Sequence, residues 1–266
     1  MAVRLSRTVR FTVSNAEGDR GTASRTNGFG GTPAMRGLGA YYELRVVCTG
    51  PPDPQTGYLV NIKAIDLAVR ETAIPRIEQI FRQAPGTDPG TVLPEIAAAI
   101  AERLEPRTTG VRWRLTPTYS VEIEMNDPTR VLMRQRFDFA ASHRLHVAEL
   151  TDDENRRLFG KCNNPTGHGH NYVVEPAVAV DPASPNPLTL PELEALTDEL
   201  IIDRFDHTNL NADTDEFGES GVNPSVEHIA RVCYERLASA IADRGAELRS
   251  VTVWETDRTS CTYPAE

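Results

Sequence analysis

The chain holds only six histidines, yet two of them, His168 and His170, stand either side of one glycine in KCNNPTGHGHNYVV, residues 161–174. On a strand, alternate side chains share a face. His168 and His170 would then aim two ring nitrogens at one point, while Gly169 leaves the opposite face bare. A third imidazole must come from elsewhere, and His143, on the preceding hairpin arm, is the candidate. Three imidazoles with a fourth position open are a catalytic zinc arrangement. Taken alone, a His-x-His pair is weak evidence, because half-exposed imidazoles bonded to backbone look the same in sequence.

Cys162 lies in GKCNNP, a turn-rich segment, unlike Cys48 and Cys233, which sit in apolar runs. A bound cation and the adjacent Lys161 would favour its thiolate, a nucleophile or general base. Asp206-His207 ends RFDH; a carboxylate beside an imidazole orients it and tunes its proton affinity. Beside a thiol base, the three residues read as a proton-transfer set. Glu255 interrupts the strand pattern VTVWET. A buried carboxylate needs a paired donor, and a ligand edge with two parallel N–H groups, such as an amino-pyrimidinone, supplies it. His146 and His228 read as ordinary surface or helix residues, and Arg144 and Lys161 as solvated cations before any role toward a phosphate.

The elements that must carry these residues occur twice. Shifting the chain by 130 residues lays GLGAYY, from Gly37, over GHGHNY, from Gly167. Each hexamer runs into an apolar stretch, a Pro/Asp loop and a helix-like segment. RFTVSNAE from Arg10 matches RFDFAASH from Arg136, and VRWRLTPTYSVEIE matches VTVWETDRTSCTY. Both copies read as strand–strand–helix–helix–strand–strand, from β-branched runs and 3.6-residue spacing. Pro94 is expected in the opening turn of a helix in copy one. Ser225 is expected to N-cap its counterpart, with Gly245 just past the end. The junction falls near residues 124–130. Where copy two has His143, His168 and His170, copy one has Glu17, Leu38 and Ala40; Cys162 faces Thr32, Asp206-His207 face Arg76-Ile77, and Glu255 faces Leu115. The glycines and apolar runs persist while the chemistry is gone, as in a duplicated fold with one dead site. The insert ADTDEFGESGVN suggests no role.

Composition bounds the function. At 266 residues, 39% hydrophobic and 25% charged, the chain is long enough for one large or two small globular domains. A net charge of −10 argues against general nucleic-acid binding. The N-terminal segment has arginines but no apolar core, so no secretory signal is expected, and no run reaches the length of a membrane span. Four dispersed cysteines fit free thiols in a reducing cytoplasm.

These residues carry a resemblance. FAASHRLHVAELTDDENRRLFGKCNNPTGHGHNYVV, RFDHTNLN, PSVEHIA and VWETD together resemble 6-pyruvoyltetrahydropterin synthases over essentially all of residues 131–264. The resemblance implies an α+β tunnelling fold, antiparallel sheet with paired helices, with a degenerate copy over 1–128 and a catalytic copy over 129–266. It implies Zn2+ on His143, His168 and His170, proton transfer by Cys162, Asp206 and His207, and a pterin anchored by Glu255. Ser225 and Glu227 stand where the family has Thr and Glu for pterin contacts. The substrate implied is 7,8-dihydroneopterin triphosphate, and the product 6-pyruvoyltetrahydropterin. Two alternatives are a 6-carboxytetrahydropterin synthase of queuosine (deazapurine) biosynthesis and a non-catalytic pterin- or purine-binding scaffold. Family sites lie at subunit interfaces, so a cytoplasmic homo-oligomer is expected, with copy one completing the barrel.

Overall fold

The computed structural model describes residues 1–15, 33–35, 37–104 and 107–265. It divides into two compact units, Met1–Met133 with Asp181–Pro185, and Arg134–Val180 with Asn186–Glu266.

The first unit is an antiparallel sheet of β1 (Val3–Ser14), β2 (Gly39–Gly50), β3 (Thr108–Arg114) and β4 (Tyr119–Glu124), in that spatial order. Alternate residues, including Val9, Phe11, Leu44, Val46 and Trp113, are buried. Against that face lie α1 (Ile62–Ala68), which runs through a π turn (Val69–Ala73) into α2 (Ile74–Gln83), and α3 (Pro89–Leu104). Pro94 lies inside α3 rather than in its opening turn. The helix starts earlier because the Asp88 carboxylate accepts from the Gly90 N–H at 2.6 Å, satisfying a first-turn donor.

The chain passes into the second unit within β5 (Val131–Gln135), which leads into β6 (Phe137–His143). After α4 (Asp152–Phe159) and a 3-10 turn (Gly160–Asn163) comes β7 (His168–Val180). Next, α5 (Leu190–Thr197) passes through a π turn (Asp198–Ile202) into the short α6 (Asp203–Phe205). Then follow β8 (Thr208–Asn209), α7 (Leu210–Asp213), α8 (Val226–Asp243), β9 (Glu247–Thr256) and β10 (Thr259–Tyr263). The strands run in the order β10-β9-β7-β6-β8, antiparallel except for the two-residue parallel pairing of β8 with β6. Ser225 caps α8, its side chain accepting from the His228 N–H, and Gly245 follows the end with φ +70°. The insert is not idle: Phe217 is buried 5.7 Å from Phe205, and Glu216 accepts from both Arg204 and Arg236.

Strand register makes the repeat exact in backbone terms. Phe11 faces Tyr42 and Val13 faces Ala40; Phe139 faces Tyr172, Ala141 faces His170, and His143 faces His168. The β1–β2 register ends at Ser14 and Gly39; extended by one step it sets Asn15 opposite Leu38, so by register Asn15 corresponds to His143. The match to Glu17 came from aligning the two Arg-Phe dipeptides, whereas pairing follows the buried alternation. Glu17 and Thr32 lie outside the described residues. Leu115 and Glu255 do correspond: Glu43 pairs with Arg114 and Val173 with Trp254, which sets the next residue of each against Tyr42 and Tyr172. Gly37 and Gly167 both take left-handed φ, +71° and +72°. At Gly167 a Cβ would also lie 3.0 Å from the His143 carbonyl oxygen, so only glycine fits this turn. Both units are α+β tunnelling-fold units in tandem.

Candidate metal centre and active site

Strand pairing brings the three imidazoles together. His143 and His168 are directly opposed on β6 and β7, and His170 lies two residues along the same face. Their ligand atoms lie within 4.8 Å of one another. His143 is fully buried, and its Nδ1 stands 2.7 Å from the Pro224 carbonyl. A carbonyl only accepts, so Nδ1 carries the proton and Nε2 presents its lone pair. Such second contacts fix the tautomer of a metal-ligating histidine. Nε2 of His143 lies 3.1 Å from Nε2 of His168. His168 Nδ1 and His170 Nε2 are buried without a hydrogen-bond partner. Burial, more than any neighbour, lowers the proton affinity of His143 and His168, keeping them in the neutral form that binds metal. The cluster fits a metal ion on three grounds: converging nitrogens, an unpartnered ring atom and a held tautomer.

Glu255, on β9, turns its carboxylate to this cluster. Oε1 lies 3.5 Å from His143 Nε2 and 3.6 Å from His170 Nε2. Tyr172, fully buried, stacks on Phe139 at 5.0 Å and brings its hydroxyl 3.4 Å from His143 Nδ1. Cys162 sits half-buried in the 3-10 turn, which is tied down where Cys162 O accepts from the Leu145 N–H at 2.8 Å. Burial, then Glu255, push its thiol up from the ordinary value. A cation on the triad is the charge that would pull the thiol back toward thiolate.

Asp206 and His207 form a tight dyad: His207 Nδ1 donates to Asp206 Oδ2 at 2.7 Å. Asp206 Oδ1 accepts from the Ala140 N–H at 2.7 Å, and His207 N–H donates to the Ala140 carbonyl at 2.6 Å. The Ala140 N–H, then His207, hold the Asp206 carboxyl below its usual range. His207 adopts φ +57°, rare for a residue with a Cβ, and its side chain is 83% exposed. With Gly169, His170 and Asn171 it lines an open groove of about 480 Å3. The lining takes in successive residues of both strands, 140–142 and 169–171, with Thr208 and Asn209. The dyad therefore opens onto a groove that the triad residue His170 also lines. Among the described residues no hydrogen bond links Cys162 to the dyad.

Ser225 is committed to capping α8, and its hydroxyl holds the Glu227 carboxyl below the usual range. Neither residue has a bond to the triad, although Pro224, next to Ser225, does. His146 and His228 bond to Asn163 and to the Asn223 carbonyl, ordinary satisfied histidines. Sequence reasoning missed Tyr172 and Pro224. Period-two alternation from His170 would have found Tyr172; a backbone carbonyl leaves no signature.

A family model described as 6-pyruvoyl tetrahydropterin synthase matches residues 132–266. The Homo sapiens 6-pyruvoyl tetrahydrobiopterin synthase is 39% identical over 134 residues, 50% of this chain and 90% of that protein. The solved Caenorhabditis elegans 6-pyruvoyl tetrahydropterin synthase is 36% identical, covering 52% of this chain and 96% of its own, with a TM-score of 0.47. A uricase from Arthrobacter globiformis aligns over 98% of this chain and 92% of its own at 10% identity and a TM-score of 0.47. The family match takes in the histidine triad, Cys162, the dyad and Glu255, and by that match over half of its length the chain belongs to the 6-pyruvoyl tetrahydropterin synthase family.

Proposed function

We propose that the second unit, residues 129–266, is a zinc-dependent lyase converting 7,8-dihydroneopterin triphosphate to 6-pyruvoyltetrahydropterin with loss of triphosphate. The observation that carries this reading is the converging triad of His143, His168 and His170, set beside a half-buried thiol inside the segment that the family model matches. His143, His168 and His170 hold the ion. Bound Zn2+ supplies Lewis-acid polarisation of the substrate's side-chain hydroxyls.

The chain's own residues do the rest. Glu255 accepts two N–H donors from the amino-pyrimidinone edge of the pterin, with Ser225 and Glu227 nearby on the cap of α8. Cys162, as thiolate, removes a proton from the substrate side chain. Asp206 orients His207, which exchanges protons through its outward-facing ring nitrogen. Because no hydrogen bond among the described residues links Cys162 to the dyad, a second copy of the chain brings its dyad to this thiol in a cytoplasmic homo-oligomer. The first unit, degenerate over 1–128, then serves as barrel wall. A monomer by light scattering that still turns over substrate would contradict this assembly.

The deciding experiment incubates zinc-loaded protein with the triphosphate substrate and identifies products by mass spectrometry. A 6-pyruvoyl product with free triphosphate is the expected result. A 6-carboxy product with acetaldehyde would move the enzyme to the deazapurine branch. A protein without one zinc per chain and without turnover would be a binding scaffold.

A further inference from the structure

We propose that a basic cleft beside Cys162 seats the polyphosphate tail of the substrate. This rests on the function proposed above, and extends it to the end of the substrate that the triad and Glu255 leave unaccounted for.

The cleft, of about 410 Å3, is lined by Arg144, Arg156, Lys161, Asn163 and Asn164, with Asp152 as the one acidic residue among them. Its position follows from the chain. Arg144 directly succeeds His143, and Lys161 and Asn163 flank Cys162, so the cleft is built from the chain neighbours of a triad histidine and of the thiol. It is also rigid. Arg144 is fixed by Asn211, whose amide accepts from the Arg144 N–H at 2.7 Å and donates to the Arg144 carbonyl at 3.1 Å. Its guanidinium donates through Nε to the Asn163 carbonyl at 3.3 Å. Asn163, only 5% exposed, donates in turn to the Leu145 carbonyl at 2.7 Å.

The charges are what make this a site rather than a solvated surface. On a chain of net charge −10, most arginines of the second unit have found a carboxylate: Arg136 pairs with Glu175, Arg204 and Arg236 with Glu216, and Arg244 with Glu192. Arg144, Arg156 and Lys161 line one cleft, and none of them makes an ion pair with a carboxylate among the described residues. Adjacent unpaired cations repel, and that cost is relieved by a ligand carrying several negative charges. Two guanidinium forks and one ammonium are the donor set that phosphate oxygens take. A single carboxylate or sulfate would leave most of the set unused; a triphosphate engages it all.

Arg156 and Lys161 are exposed, so their removal leaves the fold intact. Inorganic tripolyphosphate is titrated calorimetrically into the full-length, metal-loaded protein and into the double variant Arg156→Ala/Lys161→Ala. Phosphate-free 7,8-dihydroneopterin is titrated into both. Tripolyphosphate affinity should fall about 30-fold or more in the double variant, from two charge-assisted contacts, while 7,8-dihydroneopterin binds both proteins equally. KM for the triphosphate substrate should rise by a similar factor with little change in kcat. Arg144→Lys, which keeps the charge but loses the fork, should weaken tripolyphosphate by about tenfold or less. Absence of tripolyphosphate binding by the wild-type protein at millimolar concentration, or equal affinity in the double variant, overturns the cleft. The two proposals fail separately. Wild-type protein without turnover, but with tripolyphosphate binding that the variant loses, removes the reaction and keeps an anion site. Normal turnover with unchanged KM in the double variant keeps the reaction and removes the cleft.

Discussion

Two hairpins of the molecule have the same backbone and opposite content. In β1–β2, Phe11 and Tyr42 meet edge-on at 5.9 Å, and Trp113 closes on Tyr42 at 5.4 Å. In β6–β7, Phe139 and Tyr172 stack at 5.0 Å, and the positions beyond them hold His170, His168 and His143. The first hairpin carries Ala40, Leu38 and Asn15 there, and Leu38 is 97% exposed. Both units keep the glycine turn, the buried alternation and the π turn in the helix that follows. A π turn often marks a functional site; here it persists in the unit that holds no histidine, so it belongs to the fold. The comparison teaches that aromatic and aliphatic packing holds this architecture, and that the histidines are an addition it tolerates.

The sharpest way to break that comparison is His168→Ala. It should empty the second unit of metal, measured by elemental analysis, and lower turnover about a thousandfold or more, since the ion supplies several kcal/mol of transition-state stabilisation. Leu38→Ala, at the matching place, should change neither quantity. Unchanged metal content in His168→Ala would remove the triad as the site.

Next in size is Cys162→Ala, which separates the thiol from the ion. Turnover should fall about 10^2- to 10^4-fold, the usual worth of a positioned base, with one metal per chain retained. Loss of metal together with activity would instead make Cys162 a ligand.

Glu255→Gln comes third. It keeps the shape and removes the charge that Leu115 lacks in the first unit. KM should rise about 10- to 100-fold, from one lost charge-assisted contact, at constant metal content. A fall in metal affinity at constant KM would show that the carboxylate, 3.5 Å from His143 Nε2, serves the ion rather than the pterin.

The smallest effect is one the units share. Cys48 and Cys233 are buried, and burial pushes both thiols up, Cys233 to about 12. A raised folded-state value means that stability is complete below the unfolded thiol's pKa near 9 and declines as pH rises through the window up to 12. Between pH 8 and pH 10 the Cys233 thiol should cost about 1 kcal/mol, with Cys48 acting in the same direction, read as a lower urea midpoint. Cys233→Ala should flatten part of that slope and leave the part due to Cys48.

Much of this was legible before any coordinates. Glycine, proline and apolar spacing are local signals, so the repeated strand–strand–helix–helix–strand–strand order, the Ser225 cap and the His-x-His face could be read directly. The repeat itself turned weak motifs into a site, because it showed which polar residues the fold does not need. Register was less legible: matching Arg-Phe dipeptides placed Glu17 against His143, and only cross-strand pairing moved the place to Asn15. Pro94 was misplaced for a similar reason, since a carboxylate at Asp88 could start α3 a turn before the proline.

The sequence by itself determined what the site is made of: three imidazoles at strand spacing, a thiol in a tight turn, an Asp-His pair and a strand-borne glutamate. Their identities follow from side-chain chemistry and period-two geometry, both of which are local. Only the tertiary structure decided how they meet. It set Glu255 against the imidazoles, locked His143 through the Pro224 carbonyl 81 residues away, and tied the dyad to the backbone of Ala140 on β6. It also gathered Arg144, Arg156 and Lys161 around one cleft. Those are long-range juxtapositions, fixed by strand register and helix docking, and no pattern along the chain encodes a distance across the fold.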